Sequence, residues 1–166
     1  MEILENKRIL VVDDEIDILE TLEELLHTAN VDTASTFDAA VDLLKRREYH
    51  AAVLDIMGVQ GFDLLEITSQ KRIPTLMLTA HALTPENLRQ SVERGADAYV
   101  PKDKIVDIPV FIADVLSARK EGKDPQASWY SFLTPAFDKV FGKGWRKSDA
   151  DFWKEFDRRR EARSED

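Results

Sequence analysis

The 166-residue sequence contains no cysteine, which excludes disulfide bonds and thiolate metal sites and fits a reducing compartment. No apolar run approaches the ~20 residues that a helix needs to cross a bilayer. The first residues include Glu2 and Glu5 rather than the basic segment of a secretory signal. We therefore expect a cytoplasmic protein that does not enter the membrane.

Cations are in the minority, with 23 Lys and Arg against 32 Asp and Glu and a formal net charge of −9. Residues 1–119 hold 12 of the cations and 22 of the acids, whereas residues 120–166 are nearly balanced. A nucleic-acid surface needs an excess of cations on one face, so we expect no direct nucleic-acid binding. The acidic body suits a cation site instead.

Short β-type runs alternate five times with amphipathic helical stretches. The pattern predicts strands at about 8–12, 31–34, 50–54, 75–78 and 98–100, and helices at about 15–29, 37–47, 61–71, 85–95 and 108–120. Thr36 and Thr84 are predicted to cap the second and fourth helices. This alternation predicts an α/β fold, a doubly wound five-stranded parallel sheet with helices on both faces.

The character of the chain changes after the fifth helix. EGKDPQ, residues 121–126, has the composition of a linker. Nine of the chain's 14 aromatic residues follow between Trp129 and Phe156, too many for a disordered tail. We therefore divide the chain into a body (5–120), a linker (121–126) and a short helical C-terminal extension (127–166).

Two helices are predicted in this extension. Thr134 and Pro135 are expected to begin the first, and Gly142 to end it. Ser148 and Asp151 are expected to form a capping box at the start of the second.

Chemically capable side chains stand where the predicted strands end. Asp13 and Asp14 follow the first strand, Asp55 the third, Thr79 the fourth and Lys102 the fifth. Because the carboxyl ends of parallel strands meet at one edge of a sheet, we expect these groups to lie together. Each residue alone is weak evidence for a functional site, since an Asp often ends a strand, a Thr often lies within one and most lysines are simply solvated.

Three carboxylates at one edge repel, each close pair by about 4 kcal/mol at an effective dielectric near 20. One lysine offsets a single negative charge, and a divalent cation offsets the other two. Oxygen ligands suit Mg²⁺, which accepts a few carboxylates and keeps some of its waters. The cluster therefore predicts a magnesium site.

The ordered set of an Asp pair, Asp, Thr and Lys resembles the receiver domain of two-component response regulators. The resemblance covers about residues 5–120 and implies a CheY-like, flavodoxin-like fold with strand order 2-1-3-4-5. It implies that Asp55 is the phosphorylated residue. It also implies that Asp14, Asp55 and the backbone carbonyl of Met57 bind Mg²⁺ directly, with Asp13 binding through water.

The resemblance gives roles to further residues. Lys102, the Thr79 hydroxyl and the Ala80 N–H would stabilise the transferring oxygens. Tyr99 would be a switch aromatic that moves inward as Thr79 is drawn to the phosphoryl group, although it could be an ordinary strand residue. His81 could contact the phosphoryl group or a partner, or be a solvated loop residue.

Two positions depart from the family pattern. Asp103 stands after the lysine, where the family usually has a proline in a cis peptide. The Lys102–Asp103 link is therefore either trans or strained, because a cis bond without proline costs about 2.5–4 kcal/mol. Val59 stands where proline is common, so the entry into the third helix is expected to differ.

The resemblance implies a response regulator that takes a phosphoryl group from a sensor histidine kinase or histidine phosphotransfer protein. Such a protein is not an enzyme in the usual sense, since it catalyses only its own phosphorylation and dephosphorylation. Its switched surface would bind a downstream protein. The aromatic extension would pack on the face of the fourth helix and fifth strand, mediate homodimerisation, or act as a passive lid. The alternative function is a pseudo-receiver, a binding module that works without phosphorylation.

Overall fold

The computed structural model describes residues 2–80 and 83–164. Five parallel strands form one sheet in the order β2-β1-β3-β4-β5, as predicted. The strands are β1 (Arg8–Val12), β2 (Asn30–Ala34), β3 (Ala51–Asp55), β4 (Thr75–Thr79) and β5 (Ala98–Pro101). Each strand lies within one residue of its predicted bounds, because apolar runs with high strand propensity end at turn-forming residues.

Five helices connect and follow the strands. They are α1 (Ile16–Leu25), α2 (Phe37–Arg46), α3 (Gly61–Gln70), α4 (Pro85–Glu93) and α5 (Ile108–Glu121). The predicted caps are confirmed: the Thr36 side chain accepts the N–H of Ala39, and Thr84 accepts that of Asn87. Helix α1 ends earlier than predicted, because the chain turns there to enter β2. None of the described helices is long and apolar enough to cross a membrane.

The core lies along the middle of the sheet. Strands β3 and β4 are buried at every residue, whereas the edge strand β2 is mostly half-exposed. Strand β5 is also at an edge, yet all four of its residues are buried. An edge strand is buried only where another part of the chain packs over it. Here the C-terminal residues 126–164, called the tail below, supply it.

The tail is helical, as predicted. It comprises α6 (Gln126–Phe141), a 3₁₀ turn (Trp145–Asp149) and α7 (Ala150–Ser164). Helix α6 packs on β5 and α5, and α7 packs back on α6. The non-helical connection between α5 and α6 is reduced to residues 122–125.

The predicted start of the first tail helix is wrong. Helix α6 begins at Gln126 and continues through Pro135, although a proline in a helix interior costs about 3 kcal/mol. The turns before it bury Trp129, Tyr130 and Leu133. Burying such large apolar side chains returns about 1.5–3 kcal/mol each, which offsets the proline.

The predicted capping box is also wrong. Ser148 lies inside the 3₁₀ turn, and its hydroxyl donates to the carbonyl of Trp145 at 3.4 Å. Helix α7 therefore begins after it, at Ala150.

The tail lies against the surface that α4 and β5 form. The ring of Phe137 in α6 is 6.0 Å from that of Tyr99 in β5, centroid to centroid. Arg89 Nε in α4 is 3.3 Å from Asp149 Oδ2 in the 3₁₀ turn. Within the single chain, the extension therefore packs on the face of the fourth helix and fifth strand, and this packing does not distinguish a passive lid from a functional contact.

Candidate functional site

Strand register brings two of the predicted acids together. Val12 of β1 pairs with Leu54 of β3, so the residues that follow, Asp13 and Asp55, lie side by side. Both are buried, whereas Asp14 is exposed at the rim. One carboxylate oxygen from each of these three acids lies within 4.8 Å of the others.

The next two strands add the hydroxyl and the ammonium. Asp55 pairs with Leu78, so Thr79 ends β4 one residue further along, and it is buried. Thr79 pairs with Pro101, which places Lys102 directly after β5 at the same edge. The four strand ends therefore meet as the sequence predicts.

Lys102 joins the acids into one charge network. Its Nζ is 3.0 Å from Asp13 Oδ2, 3.2 Å from Glu15 Oε2 and 3.5 Å from Asp55 Oδ2. Its side chain is only 9% exposed. Glu15 was assigned no role from the sequence; the signal available was its place as the third acid of the run Asp-Asp-Glu after β1.

The two oxygens of Asp13 differ in their partners. Oδ1 accepts the N–H of Glu15 at 2.9 Å and lies 3.4 Å from the Lys102 ammonium. Oδ2 is buried and has no hydrogen-bond donor among the described residues, although it forms an ion pair with the Lys102 ammonium at 3.0 Å. A metal ion beside that ammonium would give this buried oxygen a second cationic partner.

The two buried acids, Asp13 and Asp55, have raised pKa values. Burial, then repulsion from Asp13 and Asp14, raises the pKa of Asp55 to about 7, even though Lys102 acts to lower it. Burial is also the main cause of the raised pKa of Asp13. Burial acts to lower the pKa of Lys102, but its carboxylate partners raise it overall. Lys102 alone thus does not balance the negative charge of the site, and a bound metal ion would add the missing positive charge.

These residues fit a divalent metal of the Mg²⁺ type. Asp13, Asp14 and Asp55 offer three hard oxygen ligands close together, and Asp13 Oδ2 lacks a hydrogen-bond donor. Met57 lies in the turn after β3 and is 55% exposed, and the role of its carbonyl stays a prediction.

Two glycines let the β3–α3 loop come close to the acids. Gly58 has φ +84°, and a Cβ there would lie 2.3 Å from Asp14 Oδ2. A Cβ on Gly61 would lie 2.1 Å from the carbonyl oxygen of Asp55. Any side chain at either position would displace the loop or the acid.

Both departures from the family pattern are accommodated locally. Val59 is buried, and Gln60 adopts a left-handed conformation (φ 55°) immediately before α3, so the helix begins without a proline. The described residues contain no cis peptide bond, so the Lys102–Asp103 link is trans.

Tyr99 points inward. It is fully buried, its hydroxyl accepts the backbone N–H of Thr84 at 3.3 Å, and its ring packs against Phe137. His81, the other residue to which the resemblance gave a possible role, lies outside the described residues.

Comparison with known proteins agrees with this geometry. The family model for the response regulator receiver domain matches residues 9–109. The heme response regulator HssR of Staphylococcus aureus (strain bovine RF122 / ET3-1) is 37% identical over 98 residues, which are 56% of this chain and 43% of that protein. The chain therefore spans less than half the length of the curated relatives it matches.

Solved structures give the same result. A CheY-like receiver domain protein from Methanospirillum hungatei JF-1 is 27% identical with a TM-score of 0.64, covering 70% of this chain and 98% of its own. A response regulator from Burkholderia pseudomallei, with a phosphorylated aspartic acid, a calcium ion and citrate, is 25% identical with a TM-score of 0.59, covering 69% and 73%. The chain belongs to the response regulator receiver domain family.

Proposed function

We propose that Asp55 accepts a phosphoryl group from a sensor histidine kinase or a histidine phosphotransfer protein in a Mg²⁺-dependent reaction. One observation carries the proposal. Asp55 lies buried at a strand end, within 4.8 Å of two further carboxylates and 3.5 Å from the ammonium of Lys102. This arrangement offers a nucleophile, ligands for a dication and a fixed positive charge in one place.

The transfer is a displacement at phosphorus. A carboxylate oxygen of Asp55 forms a bond to phosphorus while the bond from phosphorus to the donor imidazole nitrogen breaks, and the imidazole leaves with the electron pair and is protonated. Water later attacks the acyl phosphate and releases inorganic phosphate, which restores the Asp55 carboxylate. The chain catalyses no reaction other than its own phosphorylation and dephosphorylation.

The surrounding side chains position and neutralise charge rather than exchange protons. Lys102 balances negative charge on the transferring oxygens, and the Thr79 hydroxyl with the Ala80 N–H donates to another of them. A bound Mg²⁺, held by Asp13, Asp14, Asp55 and the Met57 carbonyl, would supply further positive charge. Lys102 favours the ionised form of Asp55, which burial opposes, and a bound Mg²⁺ would favour it further.

Phosphorylation then changes the surface that partners bind. The Asp55 carboxylate is replaced by a more highly charged acyl phosphate, which draws the Thr79 hydroxyl towards it and biases Tyr99. The partner that binds the changed surface is a downstream protein or a second copy of this chain, in the cytoplasm, rather than nucleic acid. The phosphorylated aspartic acid and calcium in the Burkholderia pseudomallei relative support this chemistry.

Intact-mass measurement after incubation with acetyl phosphate and Mg²⁺ tests the proposal. We expect the chain to gain the mass of one phosphoryl group, and to gain none when EDTA replaces Mg²⁺. Asp55→Asn is the matched control, since it keeps the shape of the side chain and removes the nucleophile. No gain by the unaltered chain would instead favour the pseudo-receiver function.

A further inference from the structure

Tyr99 lies between the start of α4 and the tail. At one end, its hydroxyl accepts the N–H of Thr84, the residue that caps α4 and follows Thr79 by five positions in the sequence. At the other end, its ring lies 6.0 Å from the ring of Phe137 in α6. Any movement of the start of α4 therefore reaches a residue that the tail contacts.

Phe137 is the centre of an aromatic cluster and not an isolated neighbour. It is fully buried and also contacts the rings of Trp129 at 6.4 Å, Phe141 at 5.6 Å and Trp145 at 6.3 Å. Interiors packed in this way have little room for a ring to shift. The space beside Tyr99 is therefore occupied, and the ring is held in its inward position.

Polar contacts fasten the tail to the same surface of the body. The Gln126 side chain donates to the carbonyl of Ala96 at 3.1 Å, just before β5. Arg89 of α4 pairs with Asp149 at 3.3 Å. The tail is therefore attached to α4 and to the residues just before β5. Tyr99 is the residue of β5 whose hydroxyl binds the start of α4.

We propose that Phe137 is a positioning residue for the phosphorylation site: by packing beside Tyr99 it stabilises the inward ring, so that tail docking and loading of Asp55 favour the same conformation. The inference rests on the proposed function, because it concerns the phosphoryl-loaded state of that site. It assigns the tail a coupling role in place of a passive one.

Coupling between two sites is reciprocal. A docked tail therefore tightens the binding of a phosphoryl group or its mimic at Asp55. Loading Asp55 in turn stabilises the docked tail. Binding of Mg²⁺ alone does not involve Tyr99, so its affinity is independent of Phe137.

Beryllofluoride, a phosphoryl mimic, provides the test with the full-length chain. We expect Phe137→Leu, which keeps an apolar side chain and loses the ring, to weaken beryllofluoride binding in saturating Mg²⁺ by about fivefold or more. Val140→Ala is the control, since Val140 lies on the same helix with 58% of its surface exposed. Val140→Ala should leave the affinity for beryllofluoride unchanged. The affinity for Mg²⁺ should be the same in the unaltered chain, Phe137→Leu and Val140→Ala.

The reciprocal arm uses amide hydrogen exchange. Beryllofluoride should slow exchange in residues 126–141 of the unaltered chain, and slow it less in Phe137→Leu. A second variant, Tyr99→Phe, removes the hydroxyl that binds Thr84 but keeps the ring against Phe137. It should also weaken the binding of beryllofluoride. All three tryptophans of the chain lie in the tail, so their fluorescence reports whether the tail stays docked.

The outcomes separate this inference from the proposed function. If the unaltered chain binds no beryllofluoride, the proposed function fails and the inference with it. If the unaltered chain binds and Phe137→Leu binds equally or more tightly, the inference alone is wrong, whether fluorescence finds the tail docked or released. Weaker binding by Phe137→Leu and Tyr99→Phe, with Mg²⁺ affinity preserved, supports it.

Discussion

Nζ of Lys102 lies 3.5 Å from Oδ2 of Asp55, and both side chains are more than nine-tenths removed from solvent. The same ammonium also touches Asp13 and Glu15, so a single cation faces more negative charge than it can balance. Attraction to this lysine and repulsion among the acids act on the same few atoms. Removing the Lys102 ammonium should therefore change metal binding and phosphoryl transfer in different directions.

Lys102→Met should separate the two functions. Removing the ammonium should slow phosphorylation by acetyl phosphate by about a hundredfold, a typical loss for one charge-stabilising group. Mg²⁺ affinity should stay the same or rise, because a competing cation has gone. Calorimetric Mg²⁺ titration and the phosphorylation rate measure the two effects, with the exposed Lys71→Met as control. Loss of Mg²⁺ affinity in Lys102→Met would contradict this balance of charges.

Asp14→Asn should weaken Mg²⁺ binding and stabilise the metal-free protein. The amide is a poorer metal ligand, so we expect a loss of affinity of about tenfold or more. In EDTA the same change relieves repulsion from Asp13 and Asp55 and should raise the thermal midpoint. Asp38→Asn, at an exposed acid on α2, should do neither. Equal Mg²⁺ affinity in Asp14→Asn and the unaltered chain would remove Asp14 from the site.

Gly58→Ala should impair Mg²⁺ binding by displacing Asp14, because a Cβ at this position would lie 2.3 Å from Asp14 Oδ2. Gly122→Ala is a matched control, since Gly122 also has a positive φ (+73°) but no atom within 4 Å of its added Cβ. Left-handed strain should cost both variants about 1–2 kcal/mol of stability. Mg²⁺ affinity, measured by calorimetry, should fall only in Gly58→Ala.

The stability of the metal-free protein should depend on the protonation of Asp55. Burial and the neighbouring acids raise its pKa from 3.8 to about 7, so at intermediate pH the folded chain binds a proton that the unfolded chain has released. Stability should therefore fall as the pH rises from about 4 to 7. Urea unfolding in EDTA at several pH values measures this. Asp55→Asn should flatten the profile, and parallel profiles for the two proteins would refute the assignment.

The sequence predicted the body of the fold closely because local and tertiary preferences agree there. The apolar run before Asp55 and the threonines before α2 and α4 favour locally the same structure that the packing around them favours. The parallel topology predicted that Asp13, Asp55, Thr79 and Lys102 lie at one edge of the sheet. The strand order that makes these four strands neighbours came from the resemblance to receiver domains.

The remaining features depend on contacts between segments distant in sequence. Pro135 locally favours a helix start, and burial of Trp129 beside Tyr130 and Phe137 overrides it. Glu15 is one of many acids until Lys102 is placed beside it. The buried ring of Tyr99 lies beside Phe137, which no local pattern connects to it.

The account's central claim is that Asp55 carries the phosphoryl group, and borohydride trapping tests it most directly. Reduction converts an aspartyl phosphate to homoserine, and tandem mass spectrometry of the digested protein locates it. We predict homoserine at position 55 when acetyl phosphate and Mg²⁺ are both present, and none when either is left out. Homoserine at another aspartate with position 55 unmodified, or at no position, would contradict the account.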